Sequence, residues 1–139
     1  MKLIPRSLLM LLAAILLAGC PQPREDKGLS ETLLEYETFV RWAQWDAAST
    51  FIAPEYQEQH PITRLELERL RLFRVTQYLV RSSTPVDNGE GLLQMVEIRM
   101  FNKNQARERT INDEQYWKYN QQSKRWLLHS GLPDPTQGR

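Results

Sequence analysis

Apolar residues recur at two different periods along this chain, and the change falls near Phe73. Before it, Leu33, Tyr36, Val40, Ala43 and Ala47 stand at helical spacing, with Leu34 and Phe39 widening the stripe. Ser30 is placed to cap the start, and Glu31 puts a carboxylate in the first turn, where the helix dipole favours it. The pattern predicts a helix over residues 30–45. A turn is expected at Asp46, acting as a second N-cap, followed by a short helix through Phe51 that Pro54 ends. Tyr56 to His60 reads as a polar connection. Thr63 and Glu66 match the Ser/Thr-x-x-Glu capping box and open a third helix to about Arg71. Leu65, Leu67, Leu70 and Leu72 alternate with charge, so a strand starting before Leu72 is an alternative.

From Phe73 onward the period moves toward two, and β-branched and aromatic residues accumulate. Strands are expected at residues 72–81, 92–101, 107–119 and 126–130. Residues 84–91 form a long turn-rich connection, with short hairpin loops at 102–105 and 120–123. With Lys103-Asn104 as a two-residue turn, Arg99 falls opposite Glu108 and Val96 opposite Ile111. From Gly131 the chain, with Pro133, Pro135 and Gly138, reads as frayed, and residues 133–139 as a disordered tail. Helices first, then three or four antiparallel strands, define an α+β fold with N-terminal helices packed on one face of a curved antiparallel sheet.

The first twenty residues follow neither period. Lys2 and Arg6 precede an unbroken apolar run from Leu8 to Ala18, and Leu17-Ala18-Gly19-Cys20 ends it. The run is shorter than the roughly 20 residues a spanning helix needs. It resembles a bacterial lipoprotein signal whose last four residues form the box recognised by signal peptidase II. That resemblance implies cleavage of residues 1–19, a thioether-linked diacylglycerol on Cys20, and further acylation (a palmitate-type chain) of the new amino terminus. Each buried methylene contributes about 0.8 kcal/mol, so two or three chains anchor stably where one is marginal. Pro21 stands where an aspartate would favour inner-membrane retention, which points to the periplasmic face of the outer membrane. Residues 20–28 then serve as lipidated cysteine and polar tether, with the domain over residues 29–132.

Composition narrows the classes further. The 139-residue chain has one cysteine, which leaves no partner for an intrachain disulfide. Its 18 Lys and Arg, two of them in the signal, balance 17 Asp and Glu, so no electrostatic case exists for nucleic acid. The two histidines, far apart and with no metal-type spacing, make a metal site improbable, and no cofactor is expected.

The segments Trp42-Ala43-Gln44-Trp45-Asp46-Ala47-Ala48 with Phe51-Ile52-Ala53-Pro54-Glu55-Tyr56, and the closing Tyr116-Trp117-Lys118-Tyr119 with Lys124-Arg125-Trp126-Leu127-Leu128, resemble the nuclear transport factor 2-like superfamily. A cystatin-like roll is the competing expectation. The resemblance implies a cone-shaped domain, found both in enzymes with acid/base residues in the cone mouth and in binding or dimerising modules, so fold alone does not choose. Tyr36, Phe39, Trp42, Trp117 and Trp126 are candidates to line a pocket, although aromatics at core spacing are more often the core itself. Asp46, Tyr56 and His60 are weak acid/base candidates, against the plainer readings of an N-cap and a solvated loop. His129 and an Arg107/Arg109 anion grip are weaker still. The expected function is a non-enzymatic envelope lipoprotein: membrane-bound through Cys20, partnered by another envelope protein, with a homodimer as a further expectation. A carrier of small apolar ligands and a cone-fold acid/base enzyme are the alternatives.

Overall fold

Tyr36 and Val40, one turn apart on the first helix, have no exposed surface, and the whole domain is arranged to cover them. The computed structural model describes residues 28–137. The signal, Cys20 and most of the tether lie outside the described residues.

Helix α1 (Leu29–Arg41) starts one residue before Ser30, with Gly28 at a φ of 77° as its N-cap. It stops four residues short of the expected end. The Gln44 N–H reaches the Phe39 carbonyl at 2.8 Å and the Ala43 N–H the Val40 carbonyl at 3.0 Å. That is the Schellman closure, and it needs a left-handed residue, here Ala43 at a φ of 52° where glycine is usual. Helix α2 (Trp45–Ser49) therefore has Gln44 at its N-cap, not Asp46. Asp46 sits in the first turn, and its carboxylate accepts from Arg71 at 2.9 Å. Pro54 ends nothing by itself: it opens α3 (Pro54–Gln59), where its missing N–H costs nothing in the first turn, so the expected polar connection is a helix. Helix α4 (Arg64–Leu70) carries both bonds of the expected capping box, Glu66 N–H to Thr63 Oγ1 at 3.2 Å and Thr63 N–H to Glu66 Oε2 at 2.7 Å.

Four antiparallel strands follow in simple sequence order, β1 (Phe73–Val86), β2 (Gly91–Asn102), β3 (Arg107–Asn120) and β4 (Arg125–Leu128). Strand β1 runs through Thr84 and Pro85 before a tight turn at Asp87–Gly89, so the expected long connection is mostly strand. The β2–β3 loop also differs. Asn102 Oδ1 accepts from the N–H groups of Asn104 and Gln105 at 2.9 and 3.1 Å, which makes a four-residue loop of residues 103–106. The register accordingly sets Ile98 opposite Ile111, Val96 opposite Asp113 and Phe101 opposite Glu108. Because the shift is even, each residue keeps its predicted face. Arg99 and Glu108 still meet, diagonally, at 3.6 Å.

One face of the sheet presents Val96, Ile98, Met100, Ile111 and Trp117 to Tyr36, Val40, Trp45 and Phe51 from the helices. Tyr36 meets Trp117 edge-on at 5.1 Å and Phe51 at 5.7 Å. Both sheet edges are managed. Residues 51–53 close β4, with the Leu128 N–H donating to Phe51 at 2.7 Å and the Ala53 N–H to Leu128 at 2.8 Å. On β1, two bulges, Pro85 and an Arg41 bond to the Tyr78 carbonyl at 2.9 Å discourage further pairing. The C-terminal segment is packed, not frayed, as far as Gln137. Arg109 lies over the Phe73 ring and donates to the Pro135 carbonyl at 2.6 Å, and Pro133 and Pro135 are buried.

The capping box stands on the surface, so its energetic contribution can be read without a cavity. Thr63→Ala is expected to lower unfolding free energy by about 1 kcal/mol in urea titration with an unchanged m-value; an effect near zero would mean that α4 is held by packing alone.

Candidate functional site

Alternation along β3 brings Ile111, Asp113, Gln115 and Trp117 to the helix-facing side of the sheet. Three of these are packed in the core, and Asp113 is half-buried. Gln115, wholly buried, ties a small polar network together. Its Nε2 donates to Asp113 Oδ2 at 2.8 Å and to the Tyr78 hydroxyl at 3.0 Å, and its Oε1 accepts from Trp117 Nε1 at 3.3 Å. Among the described residues no cation pairs with Asp113. Burial pushes its carboxyl up to about 6, against the smaller opposing pull of the Gln115 hydrogen bond. The Tyr36 hydroxyl is buried with no hydrogen-bond partner among the described residues. Burial first, and then the Asp113 charge, hold Tyr36 well above the usual phenol range, and burial also raises Tyr78. The arrangement is a carboxyl that changes charge near neutrality beside two phenols that keep their protons.

Asp113 was not among the expected acid/base candidates. Its signal was present: an acid standing between Ile111 and Gln115-x-Trp117 on the inward parity of a strand.

A concavity of about 300 Å3 lies between α3, α4 and residues 130–137, apart from the Asp113 network, and it holds two of the expected candidates. Tyr56 and His60 stack there with ring centres 4.6 Å apart. Gly131, at a φ of 78°, passes so close that a Cβ would stand 3.2 Å from the Tyr56 hydroxyl. Asp46 is elsewhere, paired with Arg71, so the three do not form one cluster.

The five aromatic pocket candidates are not brought together either. Tyr36 and Trp117 are interlocked core with Phe51, and Phe39 packs on Phe51 at 6.0 Å. Trp126 meets Tyr119 at 5.6 Å, and Trp42 is 74% exposed. Arg109 is committed to Pro135 and Phe73, which removes it from an anion grip. His129 is half-buried beside Tyr116, and burial lowers its pKa. Among the described residues no group of three His, Cys, Asp or Glu side chains could hold a metal ion, and no helix is long and apolar enough to cross a membrane.

The opposite face of the sheet is built differently. Leu93, Met95, Glu97, Arg99 and Phe101 alternate with the buried positions of β2 and are all half-exposed. Leu93 and Met95, with Tyr116 opposite Leu93, make an apolar patch at one end of this face, and Glu97 and Arg99, paired with Arg81 at 2.8 Å and Glu108 at 3.6 Å, separate it from Phe101, with Leu79 opposite Glu97.

Comparison of the chain with protein-family models, with curated proteins and with solved structures found no match.

The raised Asp113 acidity has a definite sign. The folded protein binds this proton more tightly than the unfolded chain, so the stabilisation is full below about pH 4, where both states are protonated, and is lost as pH rises through about 6. Above that the buried charge costs roughly 2–3 kcal/mol. Asp113→Asn is therefore expected to be more stable than the parent at pH 7.5, with the gain shrinking toward pH 4 in a series of urea titrations. A pH-independent difference between the two proteins would refute the assignment.

Proposed function

We propose that the protein is a membrane-anchored envelope lipoprotein, acylated at Cys20, whose α+β domain is a non-enzymatic interaction module for another envelope protein on the periplasmic side of the outer membrane. The observation that carries this reading is the sheet face that none of the described helices covers. Its half-exposed Leu93, Met95 and Tyr116 form an apolar patch at one end of the sheet, with Leu79 and Phe101 set among the charged Glu97, Arg99 and Glu108, a mixed surface of the kind that binds another protein. The Leu17-Ala18-Gly19-Cys20 box and the short tether support anchoring, which would raise the domain's effective concentration for partners at that surface. The order of helices followed by a curved antiparallel sheet is common to the nuclear transport factor 2-like and cystatin-like expectations and does not choose between them. Closure of the interior by Tyr36, Phe51 and Trp117 weighs against a deep tryptophan-lined carrier cavity.

An acid/base enzyme is the second reading, favoured by one observation, the uncharged-paired Asp113 beside Tyr36 and Tyr78.

Crosslinking in intact cells, followed by purification through a C-terminal tag, tests the first reading. The wild-type chain is expected to capture a reproducible partner, the paired variant Met95→Glu/Phe101→Glu to lose it by at least about tenfold, and Leu34→Glu, on the exposed side of α1, to retain it. Equal capture by both variants would sink the sheet-face assignment. Cys20→Ser is expected to move the protein from the membrane to the soluble fraction.

A further inference from the structure

The groove between α3, α4 and the C-terminal segment has a polar inventory that does not belong to the fold. Tyr56, Ile62, Leu70 and Leu132 give it an apolar wall, with two buried prolines behind them, and the rest of its lining is polar. Its volume of about 300 Å3 falls at the small end of the range for ligand sites, roughly 300–1,000 Å3. Three charged side chains edge it. Glu66 spends Oε2 on the Thr63 N–H and hydroxyl at 2.7 and 2.8 Å, leaving Oε1 uncommitted. Asp134 spends Oδ1 on the Thr136 N–H and hydroxyl at 2.8 and 2.7 Å, leaving Oδ2 uncommitted. Arg69 makes no ion pair or side-chain hydrogen bond among the described residues, although both it and Asp134 are close enough to act on the Glu66 charge.

One exposed guanidinium and two exposed carboxylates thus edge a small open groove of mixed polar and apolar lining, close enough to act on one another's charge. A simple anion entering the groove would meet two carboxylates, and a simple cation would meet Arg69. A ligand carrying both charges on neighbouring atoms satisfies all three. We propose that the groove binds a free α-amino acid with an apolar or aromatic side chain. The ammonium donates to Glu66 Oε1 and Asp134 Oδ2, the carboxylate accepts from Arg69, and the side chain lies on the stacked Tyr56 and His60 and against Leu70. This site is separate from the sheet face, and its test is independent of partner capture.

The test is titration of the full chain with L-phenylalanine, followed by isothermal calorimetry or amide chemical shifts, beside phenylalanine amide, which lacks the carboxylate, and N-acetylphenylalanine, which lacks the ammonium. Phenylalanine is expected to saturate the site, and each analogue to bind at least about tenfold more weakly, the loss of one charge-assisted contact. Arg69→Gln is expected to weaken phenylalanine to the level of its amide while leaving the amide unchanged. Asp134→Asn is expected to weaken phenylalanine, by less than N-acetylation does because Glu66 still accepts from the ammonium, and to leave the N-acetyl compound unchanged. Both side chains are exposed, and Glu66 is left intact because it caps α4. No saturation at millimolar phenylalanine, equal binding of the three compounds, or an Arg69→Gln loss equal for all of them would overturn the proposal.

Discussion

The structure depends on Tyr36 meeting both Phe51 and Trp117 edge-on, in a cluster where those two rings also touch at 6.2 Å. That contact joins the first helix, the α2–α3 turn and the third strand, three parts of the chain far apart in sequence. The contact carries a cost, because the Tyr36 hydroxyl is buried with no partner among the described residues, as is the Trp45 indole N–H. An unmatched buried polar atom costs about 1–3 kcal/mol. Fully burying a large side chain returns about 1.5–3 kcal/mol, and each aromatic pair adds about 0.5–1.5 kcal/mol. Tyr36 makes two such pairs, so packing outweighs the orphaned hydroxyl.

Much of this was legible from residue periodicity, and the failures have physical causes. The Tyr36–Val40 stripe and the Thr63–Glu66 box were visible because helix spacing and capping are local properties. The strands were visible as alternation, and an even register error left every face correct. What could not be read locally was the backbone at Ala43, where an alanine takes the conformation a glycine normally supplies and so moves the helix end and the next N-cap. Pro54 was read as a stop when its equally physical role is a start. The C-terminal prolines looked like a tail because their anchor, Arg109, lies 26 residues earlier in sequence. The aromatic candidates were seen, but composition does not say which aromatics face each other.

The same alternation explains why Asp113 escaped notice and why it matters. A carboxylate at an inward strand position, paired with an amide and with no cation, is an expense to the fold at neutral pH. Gln115 links it to Tyr78 and Trp117, so it is not a solvated surface acid. Positions that lower stability while being fully integrated into a hydrogen-bond network are where function is most readily sought.

The two faces of the sheet therefore stand in different relations to binding. On the inner face, the helices and the interlocked rings leave no room for a large partner, and any chemistry there has to be that of a proton or a very small molecule. At the edges, residues 51–53 cover β4, while bulges, Pro85 and Arg41 blunt β1, so strand addition is disfavoured on both sides. The outer face, which no described helix covers, is wide and mixes apolar side chains with the ion pairs of Glu97 and Arg99. A macromolecule that binds the described domain through its sheet must do so there, and the helix-side groove, with its committed caps and uncommitted charges, is left as a site of a different scale.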